Sequence, residues 1–162
     1  MILQEIIDRH LYQFIDMPVA SWEEAIRISC KPLQNQKIVD QGFPDRLIES
    51  VQNYGPYIVI LPNLAIPHTT QNAEGVFDTA IALTRFSEPI VFDPEDETKN
   101  AQFFFTLAAE NETKHLENMA SLFQILSEGD TLAWVMAIQN EKDLYACVDR
   151  MTSLTEGEEE SL

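Results

Sequence analysis

Between Gly55 and His68 the chain reads Gly-Pro-Tyr-Ile-Val-Ile-Leu-Pro-Asn-Leu-Ala-Ile-Pro-His. The apolar run Tyr57 to Leu61 is rich in β-branched and aromatic residues, and Gly55-Pro56 and Pro62-Asn63 bound it as turn signals. That pattern predicts a short buried strand. A second apolar trio, Leu64, Ala65 and Ile66, carries the chain into Pro67-His68. The proline fixes its own φ and pushes Ile66 towards an extended conformation, so the approach to His68 is stiff.

The same reading along the rest of the chain alternates helices with strands. Ile2, Leu3, Ile6, Ile7, Leu11 and Phe14 make a helical pattern over residues 2–14, although Tyr12 to Met17 fits an edge strand equally well. Ser21-Trp22-Glu23-Glu24 is a capping box that opens a helix to about Leu33. A further helix starts at Pro44-Asp45-Arg46 and stops near Tyr54-Gly55, where glycine and then proline end it. Val76 to Phe86 reads as a strand, Pro89 to Phe92 as a short apolar piece, and Asp93 to Glu97 as an acidic loop. Ala101 to Ala109, with Phe103, Phe104, Phe105 and Leu107, is apolar on both faces, as a central strand covered by helices on each side must be. Helices follow from Asn111 or Glu112 to Ser127, then Thr131 to Ile138 and Glu141 to Met151, with a break at Gly129. The expected architecture is α/β: a three-layer α/β/α sandwich around a mixed central sheet, in one domain spanning 1–154. Residues 155–162, Thr-Glu-Gly-Glu-Glu-Glu-Ser-Leu, lack apolar content and are expected to form a frayed acidic tail.

Charge narrows the partners. Against 27 acidic side chains stand 10 basic ones, a net charge of −17. Such a chain does not hold nucleic acid by neutralising phosphates, nor an anionic membrane surface; basic protein surfaces are steered towards it instead. Acidity also keeps a protein soluble, which accounts for most of the excess. No apolar run approaches membrane-spanning length, and the first residues lack the basic flank and apolar core of a signal peptide. Cys30 and Cys147 are far apart, which fits a reducing compartment and neither a disulfide framework nor a zinc site. A cytoplasmic protein is expected.

Candidate chemistry centres on two histidines. His68 follows a strand and a rigid proline and precedes the hydroxyls of Thr69 and Thr70. His115 lies in the first turns of the helix after the central strand, where backbone N–H groups and the helix dipole favour an anion. Open α/β sheets place ligands beyond the carboxyl ends of their strands, so the two imidazoles are expected to converge there. His10, among Asp8, Arg9 and Tyr12, reads as a surface helix residue. The cysteines lie on apolar helix faces and read as buried structural thiols. Neither a metal ligand set nor a glycine-rich phosphate loop is present, and no cofactor is expected.

The tracts Gly55 to Ile60 and Ala65 to His68 resemble the phosphohistidine loop of enzyme IIA domains of the bacterial sugar phosphotransferase system, in the mannitol/fructose type and its ascorbate group. Phe105 to His115, Phe-Thr-Leu-Ala-Ala-Glu-Asn-Glu-Thr-Lys-His, resembles the family's second histidine element. The likeness covers roughly residues 15–151. It departs at Asn63-Leu64, where a glycine-containing turn is usual; asparagine tolerates the left-handed conformation such a turn needs. The resemblance implies that His68 is phosphorylated by the carrier protein HPr and that His115 assists. It implies further an arginine and a glutamate on the helix before the strand, for which Arg46 and Glu49 are the nearest candidates; the backbone N–H groups and hydroxyls of Thr69 and Thr70 are expected as donors to the phosphate oxygens. The phosphoryl group would pass to a sugar-specific IIB component serving a IIC membrane transporter. The alternative it implies is a regulatory IIA-like protein whose phosphorylation state controls what it binds.

Overall fold

Ala101–Ala108 forms β5, the middle strand of a five-stranded sheet, and of its eight residues only Gln102 escapes full burial. The computed structural model describes residues 1–69 and 74–160, with side-chain surroundings as far as Leu154. Around β5 the sheet takes the other strands in the order β1 (Tyr12–Ile15), β4 (Ala80–Ile90), β5, β3 (Asn63–Ala65), β2 (Val59–Leu61). The β1/β4 and β3/β5 pairs are parallel, and β4/β5 and β2/β3 are antiparallel, so the sheet is mixed.

Helices cover both faces, and the register shows which. Tyr12, Leu83 and Phe105 are paired across three strands and share a face. The Tyr12 hydroxyl lies 3.4 Å from that of Tyr145 on α7 (Glu141–Glu160), which places α7 there. Gln13, Thr84 and Phe104 share the opposite face. There the Gln13 amide donates to the Ile28 carbonyl of α2 (Trp22–Ser29) at 2.6 Å and to Thr84 Oγ1 at 3.0 Å. The same face holds an aromatic chain. The Phe104 ring meets Phe86 at 4.9 Å and Phe92 at 5.8 Å, and Phe92 meets Trp22 at 5.8 Å. The three-layer α/β/α arrangement follows from a central strand with no polar face to show to water.

The remaining helices are α1 (Ile2–Asp8), α3 (Lys31–Asn35), α4 (Phe43–Tyr54), α5 (Glu112–Ser127) and α6 (Gly129–Met136). The expected capping box is formed: Ser21 Oγ accepts from the Glu24 N–H at 3.2 Å, and Glu24 reaches back to the Ala20 N–H at 3.1 Å. No helix among the described residues is long and apolar enough to cross a membrane.

Several boundaries differ from expectation, each for a local reason. The 2–14 ambiguity resolves into α1 and then strand β1, with His10 in the turn between them at φ 54 rather than on a helix. The helix expected to reach Leu33 stops at Ser29. Pro32 lacks an N–H and fits only a helix start, so a new short helix begins there. The strand expected over 57–61 narrows to β2 at the sheet edge, and Leu64 and Ala65 of the following trio join Asn63 in β3, next to the central strand. Asn63, at φ 66, makes that reversal and fastens it: its side chain accepts from the Gln102 N–H at 2.8 Å and donates to Gln102 Oε1 at 3.1 Å. The two apolar pieces 76–86 and 89–92 merge into β4, whose pairing with β5 slips between Arg85 and Ile90, where Pro89 has no hydrogen to give. Gln102 Nε2 donates to the carbonyls of Phe86 and Ser87 at 3.2 and 3.0 Å within that slip. Helix α7 continues to Glu160, through most of the acidic segment expected as a tail.

Phe104 is 0% exposed and ringed by two aromatic neighbours. Phe104→Ala is expected to cost about 3–5 kcal/mol through lost burial and an uncollapsed cavity, read as a lower urea midpoint with unchanged slope.

Candidate phosphotransfer site

The segment Ile66-Pro67-His68 leaves β3 towards the sheet's carboxyl edge and is tied to three neighbours in succession. The Ile66 N–H donates to the Ile58 carbonyl at 2.7 Å, the Leu107 N–H of β5 donates to the Pro67 carbonyl at 2.9 Å, and the Tyr57 hydroxyl donates to the His68 carbonyl at 2.5 Å. Pro67 needs no partner for a missing N–H, so a proline is well suited to this buried step. His68 itself is half-buried, and its Nδ1 lies 2.6 Å from the Ile66 carbonyl oxygen. A carbonyl only accepts, so Nδ1 carries the proton of the neutral ring and Nε2 keeps the lone pair. The segment therefore presents a nucleophilic nitrogen of defined identity.

Two rings face that imidazole. Tyr57 meets it edge-on, with centroids 5.1 Å apart and planes at 88°; His115 lies 5.5 Å away at 36°. His115 stands in the opening turns of α5, directly after the central strand. Asn111 caps that helix by accepting from the Lys114 N–H at 2.9 Å, and the N–H groups of Glu112 and Thr113 head the helix without intrahelical partners. Burial lowers the His68 pKa below the ordinary 6.5; the Ile66 carbonyl opposes this, and the neighbouring His115 adds to it. Both net causes keep His68 neutral near pH 7, the state a nucleophilic nitrogen requires.

Beside the loop, Arg46, Glu49, Thr69 and Glu74 line a hollow of about 110 Å³ that also reaches Ser50 and Tyr54. The Arg46 guanidinium is held rather than loose. It pairs with Asp40 at 2.6 Å, and Gly42 and Gly75 close over it. At Gly75, φ +72, a Cβ would fall 2.2 Å from both Arg46 and Asp40, so only glycine lets the returning loop pass so near the pair. The Gly75 carbonyl in turn accepts from the Asp40 N–H at 2.8 Å.

Of the residues expected to form the site, His68 and His115 are in ring contact, and Thr69, Arg46 and Glu49 share the adjoining hollow. Thr70 lies outside the described residues. His10 is exposed in its turn. Cys30 and Cys147 are buried and unpaired, and burial pushes the Cys30 thiol up to about 12, far from a reactive thiolate. Among the described residues no group of three or more His, Cys, Asp or Glu side chains could hold a metal. Sequence reasoning passed over Tyr57 and Asp40. Tyr57 carries the one hydroxyl in its apolar run, a hint that it has a polar partner; nothing in the sequence marks Asp40 as a partner of Arg46.

Comparison with known proteins bears on this arrangement. The family described as phosphoenolpyruvate-dependent sugar phosphotransferase system, EIIA 2, matches residues 5–151. The chain is 30% identical over 128 residues to the ascorbate-specific PTS system EIIA component of Salmonella typhimurium, covering 76% of this chain and 82% of that protein. It is 26% identical over 147 residues to the protein of the same name from Mycoplasma pneumoniae, covering 90% and 91%. Among solved structures, a PTS IIA domain from Streptococcus pyogenes M1 GAS superimposes with a TM-score of 0.76 at 28% identity, over 93% of this chain and 95% of that one. The mannitol-specific cryptic phosphotransferase enzyme IIA of Escherichia coli shares the fold, with a TM-score of 0.76 at 24% identity over 93% and 99%.

The lowered His68 pKa has a measurable sign. Between its folded value and 6.5 the unfolded chain binds the extra proton, so acidification through that window removes stability. NMR titration is expected to give a His68 midpoint below 6.5. His68→Gln is expected to weaken the fall in unfolding free energy over the same window.

Proposed function

The chain belongs to the EIIA 2 family of the phosphoenolpyruvate-dependent sugar phosphotransferase system, and from that membership we propose that its phosphoryl acceptor is His68 Nε2. The observation that carries the assignment is the pinned imidazole. Nδ1 is committed to the Ile66 carbonyl and His115 stands 5.5 Å away across the ring gap. As a phosphocarrier IIA component the protein takes a phosphoryl group from one protein and hands it to another. The donor we propose is the phosphohistidine of HPr; the acceptor is a IIB component, through which a IIC transporter is served. The ascorbate-specific names of its relatives make ascorbate the proposed sugar.

The transfer asks little covalent work of the protein. As Nε2 closes on phosphorus, the bond to the donor nitrogen breaks, and charge spreads over the three equatorial oxygens of a loose transition state. The His68 Nδ1–H stays on the Ile66 carbonyl throughout, so the ring can accept the phosphoryl group without a change of tautomer. His115 and the leading N–H groups of α5 supply donors to those oxygens from a helix N-terminus. Thr69 and Arg46, from the adjoining hollow, extend the same role, with Glu49 beside them. Thr70 belongs to this set by its place in the sequence. The step reverses towards IIB with the same groups in the same positions. A net charge of −17 draws a donor with a basic face, and association is expected to slow as salt is added. HPr and IIB meet such a component in the cytoplasm, the compartment proposed for this chain.

Incubation with enzyme I, HPr and phosphoenolpyruvate is expected to put one acid-labile, base-stable phosphate on His68 Nε2, located by mass spectrometry and ³¹P NMR. His68→Ala is expected to abolish labelling. His115→Ala is expected to bind the donor and transfer about 100-fold more slowly. Label elsewhere than His68, or full transfer speed without His115, would refute the assignment.

A further inference from the structure

We propose that Tyr57 is a positioning residue for the phosphoryl acceptor: its hydroxyl holds the His68 carbonyl while its ring, packed perpendicular to the imidazole, limits rotation of the ring that carries Nε2. The inference rests on the assignment of His68 and deepens it.

The moorings of Ile66-Pro67-His68 differ in kind. Those of Ile66 and Pro67 are backbone bonds to Ile58 and Leu107, shared with any sheet edge. That of His68 is a side-chain bond, Tyr57 Oη to the carbonyl at 2.5 Å, and it is reinforced by a perpendicular ring contact at 5.1 Å and 88°. The two contacts act on different freedoms. The hydroxyl restrains the backbone of His68, and with it the distance from Nδ1 to the Ile66 carbonyl two residues earlier. The perpendicular ring contact limits rotation of the imidazole about its side-chain bonds, and so holds the in-plane lone pair of Nε2 in one direction. Tyr57 is itself well supported. It follows Pro56, and its ring stands against Tyr54 at 6.5 Å. Burial raises its pKa, which keeps the donor proton in place across the working pH range. A tyrosine whose two ends both engage one histidine is more than core filling, because a phenylalanine would fill the same space.

Reactive geometry is sensitive to small displacements, so loss of one restraint is expected to act on rate before affinity. In Tyr57→Phe, transfer from phospho-HPr is expected to slow roughly 10- to 100-fold at saturating donor, with the half-saturating concentration unchanged. In the same unphosphorylated variant, ¹⁵N NMR of the His68 ring is expected to move from the pure Nδ1–H tautomer towards the mixture of a free imidazole. Tyr12→Phe also removes a bonded hydroxyl, the partner of Tyr145, and is expected to change neither readout. Wild-type transfer rate and an unchanged tautomer in Tyr57→Phe would overturn the proposal. If wild-type protein takes no label on His68, the parent assignment falls, and the tautomer measurement still decides whether Tyr57 positions the ring. Should Tyr57→Phe not fold, the wild type carries the test. A slowly exchanging Tyr57 hydroxyl proton with cross-relaxation to the His68 ring is expected, and its absence would overturn the role.

Discussion

The hydrogen bond from His68 Nδ1 to the Ile66 carbonyl is the constraint on which the site depends. It selects one tautomer, leaves the lone pair on Nε2, and does so with a group two residues away in the chain. Such a short-range contact is dependable only if the backbone between its ends is rigid. Pro67 supplies part of that rigidity through its fixed φ, and the ties of Ile66 to Ile58 and of Pro67 to Leu107 supply the rest. The sheet therefore serves the proposed chemistry directly: its edge strand and its central strand hold the approach to His68 between them.

The central strand serves twice. Its buried length, with Phe103, Phe104 and Phe105 packed on alternating faces, forces helices onto both sides and makes the sandwich. Its carboxyl end then delivers the chain through Glu110 and Asn111 into α5, so that His115 arrives at a capped helix N-terminus beside His68. Core packing and the placing of the two histidines thus share one strand. The same economy holds on the other side of the loop, where the Arg46–Asp40 pair is closed in by Gly75 as the chain returns towards β4.

Electrostatics divides into a local and a global part. Locally, desolvation favours the neutral form of the His68 ring, and the N-terminus of α5, where His115 stands, favours an anion. Globally the surface is strongly acidic, and acts on protein partners over a Debye length or so rather than on the transferred group.

Much of this was legible in the residues alone. Period and turn signals located the helices and the doubly apolar strand, because burial on two faces leaves its mark on composition. The stiff Ile66-Pro67-His68 approach and the capping box needed no tertiary information, since proline geometry and serine–glutamate spacing are local. Only the tertiary structure decided what depends on distant segments meeting. It made β2 an edge and β3 its inner neighbour, a choice set by Asn63 finding Gln102. It merged two apolar pieces into β4 and gave Arg46 its partner in Asp40. It brought His68 to His115, and placed the hydroxyl of Tyr57 on the His68 carbonyl. Sequence determines local conformation through sterics and side-chain chemistry. Which polar groups meet across the fold is settled by packing, where a one-residue shift in register redirects every side chain.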